Sequence, residues 1–220
     1  MNQQTEKVTE MQNKLIFKMI GNVRKEGFQD LRMEDIAKIM DVSRATLYKY
    51  FSNKEEVFTK FTDGLVEYIE QLSNNHMTIK NWGDNFQAIF EQSVSLALLI
   101  TDSFLKELRL TYPEMHEKLT TAIAIREKQV IAFYEEGIKK EIFNSLNPQL
   151  LLLQNHILYT LFDPKFLINS NRPVEQLLWD YYDIQKVQLI QPSAISQLDD
   201  KNMNSKIIYL TNKIKSILFS

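Results

Sequence analysis

Residues 33–51 read MEDIAKIMDVSRATLYKYF, and this stretch decides the fold. Met33, Ile36, Ala37 and Met40 fall at helical spacing, and so do Ala45, Leu47, Tyr48 and Phe51. Asp41, Val42 and Ser43 separate the two sets. Two helices of about two turns, joined by a turn of three or four residues, form a helix-turn-helix unit. In such a unit the second helix enters the DNA major groove while the first crosses the backbone.

The second helix carries the chemistry this task needs. Ser43 is a suitable N-cap, so the helix starts at Arg44. Arg44 can grip a phosphate or the O6/N7 edge of guanine. Ala45 is small enough for close approach to the groove. Thr46 and Tyr50 offer hydroxyls to phosphates, Tyr48 a ring and a hydroxyl to bases, and Lys49 a positive charge. Leu47 and Phe51, four residues apart, pack on the first helix from behind. Ser52 opens S-N-K-E, which reads as a capping box with Glu55 at its third helical position. Lys54 then stands at the positive end of the next helix, where phosphates bind. The pattern alone also fits two packed core helices. However, Tyr48, Lys49 and Tyr50 in a row cannot all be buried on one side of a helix.

The segment GFQDLRMEDIAKIMDVSRATLYKYFSNKEEVF, residues 27–58, resembles the DNA-binding domain of the TetR family of bacterial transcriptional regulators. The matching elements are Gly27-Phe28, Asp35-Ile36-Ala37, Val42-Ser43, Thr46-Leu47-Tyr48, Tyr50-Phe51 and Lys54-Glu55-Glu56. Two positions depart from the family pattern. Asp41 stands where the turn usually has Gly, and Asp tolerates a left-handed backbone better than most residues. Leu31 and Arg32 replace the usual Thr cap, so either Asp30 caps instead or the helix begins slightly differently, and Arg32 is an added phosphate-binding candidate. The expected DNA-binding set is therefore Arg32, Ser43, Arg44, Ala45, Thr46, Tyr48, Lys49, Tyr50 and Lys54.

The chain has 220 residues, with 44% hydrophobic and 25% charged, an ordinary composition for a globular protein with a full core. It contains no cysteine, which excludes disulfides, thiolate metal sites and Cys nucleophiles. The net charge of −2 is unevenly divided. Residues 1–54 hold ten Lys/Arg against seven Asp/Glu, so the positive excess lies with the motif. The N-terminus lacks the apolar run of a signal peptide, and no apolar run approaches the ~20 residues of a membrane helix. The reading is a cytoplasmic protein with no membrane partner.

The rest of the chain reads as helix. A first helix is expected over 5–26, with a stripe of Val8, Met11, Leu15, Met19 and Val23, capped by Gly27. Lys14, Lys18, Arg24 and Lys25 lie off the stripe; most read as solvated, with one or two able to touch the DNA backbone. A fourth helix runs from Ser52 to about Leu72, followed by a polar loop over 73–79. Further helices are expected over 82–99, to about 110, over 114–141 and over 148–162. Pro164 reads as ending or kinking the last of these, and another helix opens at Arg172-Pro173 and stops near Pro192. Two such apolar helices need more partners than one subunit supplies. The resemblance likewise implies a homodimer through the last two body helices. Met203, Ile207, Leu210, Ile214 and Ile217 mark an extra helix over 202–219, packed on the body or on the partner subunit.

The expected fold is thus all-α. A three-helix helix-turn-helix DNA-binding domain, residues 1–55, precedes a helical ligand-binding and dimerisation domain, residues 56–220. The resemblance implies a small-molecule effector held among the body helices. The residues expected to line its site are Trp82, Phe86, Phe90, Phe104, Met115, His116, Phe133, Tyr134, His156 and Tyr159. No cofactor is expected. His76, His116 and His156 have no second ligand at metal spacing, and the five glycines build neither a Walker loop nor a dinucleotide-binding turn. The leading reading is a ligand-responsive repressor that binds a pseudo-palindromic operator in double-stranded DNA as a homodimer. The alternatives are a ligand carrier or interaction protein with a degenerate head, and a helical enzyme.

Overall fold

The computed structural model describes residues 3–74 and 77–219. His76 and part of the expected 73–79 loop therefore lie outside the described residues. Every regular element among those described is helical, apart from one isolated bridge between Phe143 and Ile190. The chain divides into two compact units. One comprises the residues up to 68 together with 100–122; the other comprises 69–99 and 123 onward.

The first unit contains α1 (Gln3–Glu26), α2 (Met33–Ile39), α3 (Arg44–Leu47) and α4 (Lys54–Asn74) up to Tyr68. It also takes in α6 (Asp102–Thr111) and the beginning of α7 (Pro113–Lys139). The apolar stripe of α1 is only partly buried: Leu15, Met19 and Val23 are covered, but Val8 and Met11 are exposed. Gly27 ends α1 at a φ of +76°, a left-handed conformation that costs glycine nothing. The turn aims Phe28 into the core, where its ring stacks on Phe58 at 4.1 Å and meets Phe104 at 5.7 Å. Glu107 of α6 closes the same turn. Its carboxylate accepts the backbone N–H groups of Phe28 at 2.6 Å and Gln29 at 3.0 Å. A Cβ on residue 27 would meet that carboxylate at 2.0 Å.

The second unit contains α5 (Trp82–Leu99), the remainder of α7, α8 (Pro148–Leu153), α9 (Ile157–Leu161), α10 (Pro164–Asn169), α11 (Val174–Leu189), α12 (Pro192–Ile195) and α13 (Lys201–Leu218). The helix expected over 148–162 is interrupted. A tighter 3-10 turn over Gln154–His156 separates α8 from α9. Pro164 and Pro192 each begin a short helix as well as ending the preceding one, because a first-turn proline loses no hydrogen bond. Gly137 is buried inside α7 because the Phe143 ring lies on it. A Cβ there would meet that ring at 2.0 Å. The small cost of glycine in the helix is thus offset by a close approach.

The extra helix α13 lies against α5 and α11 of its own chain. Met203, Ile207, Leu210, Ile214 and Ile217 are all buried, as their spacing requires. Polar contacts fix its N-terminal part: Tyr182 donates to Asp200 at 2.6 Å, Lys186 pairs with Asp200 at 3.0 Å, and Lys206 pairs with Glu91.

Candidate nucleic-acid interface

The helix-turn-helix is assembled by local chemistry. Asp41 adopts a φ of +56°, the left-handed turn that its position demands. Lys18 of α1 donates to the carbonyl of Met40 at 2.9 Å, so a side chain read as solvated instead holds the end of α2. Ser43 caps α3 by accepting the Thr46 N–H at 3.0 Å. The helix is shorter than the two turns expected. Its final residues tighten, with Tyr50 N–H donating to the Leu47 carbonyl at 2.9 Å and Phe51 N–H to the same carbonyl at 3.0 Å.

Two caps differ from the sequence reading. At α2 it is Asp35, not Asp30, that satisfies the helix start, accepting the Arg32 N–H at 3.1 Å. At α4 the cap is Asn53, whose side chain accepts the Glu56 N–H at 2.8 Å, while Glu56 reaches back to the Ser52 N–H at 2.6 Å. The Ser52–Glu55 box is therefore displaced by one residue. Asn53 and Ser52 are both competent caps, so their side chains alone could not set the frame.

Leu47 is 0% exposed and Phe51 is buried, and they anchor the helix from behind. Arg32, Ser43, Arg44, Ala45, Tyr48 and Lys49 are exposed, with Thr46, Tyr50 and Lys54 partly so. Tyr48, at 43% exposure, keeps its ring in solvent. Arg44 pairs with Glu34 of α2 at 2.7 Å and lies 5.6 Å from the centre of the Tyr48 ring. Glu34 was absent from the sequence-based set, and the sequence pattern gave no sign of it because the contact joins two different helices. Lys54 donates to the Gln29 carbonyl at 2.7 Å and lies over the Phe28 ring at 5.9 Å. Partial burial lowers its pKa, against the opposing fields of Asp30 and Glu107.

The residues expected to line an effector site do not form one group. Phe104 belongs to the aromatic core of the first unit, 5.3 Å from Phe61. Met115 lies there too, receiving a weak hydrogen bond from Thr59, and His116 sits in the same stretch of α7. In the second unit, Trp82 and Phe133 pack on Phe143, and Phe90 packs on Tyr181 and Tyr182. His156 is exposed in the tight turn, edge-on to Tyr159. Only Phe86 and Tyr134 from the expected set line the narrow recess of the second unit. They do so with Leu151, Gln154, Gln185 and Leu189. The recess has room for about one water molecule. Burial pushes the Tyr134 phenol up to about 12, with Arg126 nearby opposing the shift, so it remains a hydrogen-bond donor at neutral pH. Arg126 is itself buried, donating to Gln92 at 2.5 Å and Ser93 at 2.7 Å.

An exposed polar helix over a buried anchor, joined to an otherwise helical chain, is the build of a DNA-binding transcriptional regulator. Residues 23–60 match the sequence model of the bacterial regulatory proteins, tetR family. The biofilm operon regulator IcaR of Staphylococcus epidermidis, a negative transcriptional regulator, is 31% identical over 67 residues; the match covers 30% of this chain and 36% of IcaR. The uncharacterised regulator YhgD of Bacillus subtilis is 24% identical over 135 residues, covering 56% of this chain and 67% of YhgD. The fold is similar to that of the ketosteroid transcriptional regulator KstR2 of Mycobacterium tuberculosis. The TM-score there is 0.58 at 15% identity, over 87% of this chain and 97% of that one. Residues 23–60 are thus similar in sequence to the tetR family of bacterial regulatory proteins, and the chain shares its fold with KstR2. IcaR, YhgD and KstR2 are all named as transcriptional regulators. Among the described residues no single helix is long and apolar enough to cross a membrane.

Proposed function

We propose that the protein is a cytoplasmic, homodimeric repressor that binds a pseudo-palindromic operator through α3 and releases it in response to a small molecule. The observation that carries this reading is the arrangement of α3. Its apolar side is buried, while Arg44, Tyr48 and Lys49 are exposed where a duplex can meet them. Arg32, Ser43, Ala45, Thr46, Tyr50 and Lys54 complete the contact set. Residues 1–55 serve as the DNA-binding domain and residues 56–220 as the ligand-binding and dimerisation domain. IcaR is named as a negative regulator, which favours repression over activation.

Dimerisation has its own support. Leu150, Leu153 and Ile157 are exposed on α8 and α9, and Ile184 and Val187 are exposed on α11, where they line a shallow open groove. Val187 is 63% exposed. Large apolar side chains exposed on three helices support an interaction surface. Pairing the same face on two copies gives the twofold symmetry that presents two recognition helices to successive half-sites. The effector enters the recess beside Phe86 and Tyr134, which must widen to admit it. It therefore selects a conformation different from the closed one and favours the arrangement that does not bind DNA.

The test is selection of binding sites from random duplex DNA by the purified protein, with light scattering on the same sample. The expected result is an inverted repeat bound by a dimer, with affinity falling steeply as salt rises. Absence of any selected sequence at low salt would refute DNA recognition. A monomer at micromolar concentration would refute the dimer.

A further inference from the structure

We propose that Glu34 is a specificity-positioning residue of the DNA-binding face, acting through Arg44; this rests on the DNA-binding reading of α3 given above. Arg44 is the first residue of α3, and Tyr48 lies one turn further along the same face. The Glu34 carboxylate of α2 takes one guanidinium nitrogen of Arg44 at 2.7 Å. The Tyr48 ring, 5.6 Å from the guanidinium carbon, flanks it on another side. A side chain with several freely rotating bonds is thus biased toward a position between two elements before any DNA arrives.

The arrangement favours base reading over phosphate binding for two reasons. The guanidinium has five N–H donors in a planar fork, so one bond to Glu34 leaves enough of them to meet a guanine edge. An arginine already held loses less conformational freedom on contact than one that is free. Meanwhile, the exposed carboxylate of Glu34 repels phosphates. It weakens attachment to arbitrary DNA and discourages Arg44 from swinging toward the backbone. The pair is too exposed to matter much to the fold, with about 60% of each side chain in solvent. A stabilising role therefore does not account for it.

Site selection from random duplex DNA tests the proposal, using the full chain as wild type, Glu34→Gln, Arg44→Lys and the double variant. Glu34→Gln should keep the same melting temperature. It should lower the base preference at one symmetry-related position in each half-site about five- to tenfold. It should also raise binding to unrelated DNA at low salt about two- to fivefold. Arg44→Lys keeps the charge but loses the fork, and it should weaken preference at the same position. Adding Glu34→Gln to it should leave that position unchanged. A Glu34→Gln profile identical to that of the wild type overturns the positioning role while leaving the DNA-binding reading intact. So does an effect of Glu34→Gln that persists in full in the Arg44→Lys background. If the wild type itself selects no sequence, both the DNA-binding reading and the role of Glu34 fall.

Discussion

The face of α3 and the faces of α8, α9 and α11 are both uncovered, and they are chemically opposite. On α3 the exposed side chains are cationic and hydroxylated, and the apolar ones are turned inward. On α8, α9 and α11 large aliphatic side chains stand outward, with Leu150 60% exposed. A polar face leaves its chain at little cost in water and awaits a charged partner, whereas an aliphatic face of this extent is unfavourable until another apolar surface covers it. The contrast supports the roles proposed above, a duplex for the first surface and a second copy of the chain for the other.

The severest challenge to that contrast is to put charge on the aliphatic face. Leu153→Asp combined with Val187→Asp should weaken self-association by about 4 kcal/mol or more, roughly a thousandfold, because two carboxylates per copy would be buried without partners. Sedimentation should then show a monomer whose helical circular dichroism is unchanged. An unaltered dimer would place the interface elsewhere. The next largest effect belongs to the back of α3. Leu47→Ala removes a fully buried side chain and should cost about 3 kcal/mol of stability, measured by urea unfolding. A much smaller loss would mean that α3 is not anchored from behind.

How much of this was legible in the sequence depends on how far apart the deciding atoms lie along the chain. The left-handed turn at Asp41 and the Ser43 cap are settled within a few residues, and both were readable. The Asn53 cap was missed by one position because Ser52 is chemically as suitable. Phe104 and Met115 are expected beside the effector, but Phe104 packs on Phe28 and Met115 meets Thr59, because nothing along the chain tells which core a side chain enters. The break over Gln154–His156 has no Gly or Pro to announce it. Leu151, Gln154, Gln185 and Leu189 line the recess together although they come from separate segments. Pro164 and Pro192 were read as stops, yet a proline that ends one helix can occupy the first turn of another.

A gentler probe changes the polar face without touching its anchor. Tyr48→Ala should lower operator affinity by about 1–3 kcal/mol and relax sequence preference, while leaving the urea midpoint within about 0.5 kcal/mol of wild type. Loss of stability in step with loss of binding would show that Tyr48 belongs to the core of the unit and not to its surface.

The smallest expected effect falls at Lys54, and it distinguishes a contact from a tether. Its ammonium already holds the Gln29 carbonyl at 2.7 Å and is partly buried. It also stands at the first position of α4, where backbone N–H groups favour an anion. If it meets a phosphate, Lys54→Ala should weaken all DNA sequences alike, by about 1 kcal/mol, and reduce the slope of log affinity against log salt by about one for each protomer. If it serves only the turn after α1, the slope should stay fixed while stability falls by about 1 kcal/mol, the net value of one hydrogen bond. Both readouts changing together would show a side chain that ties the Phe28 turn to the backbone contact of α4. In that case DNA and the core of the first unit compete for the same ammonium, and binding should be weaker than charge alone predicts.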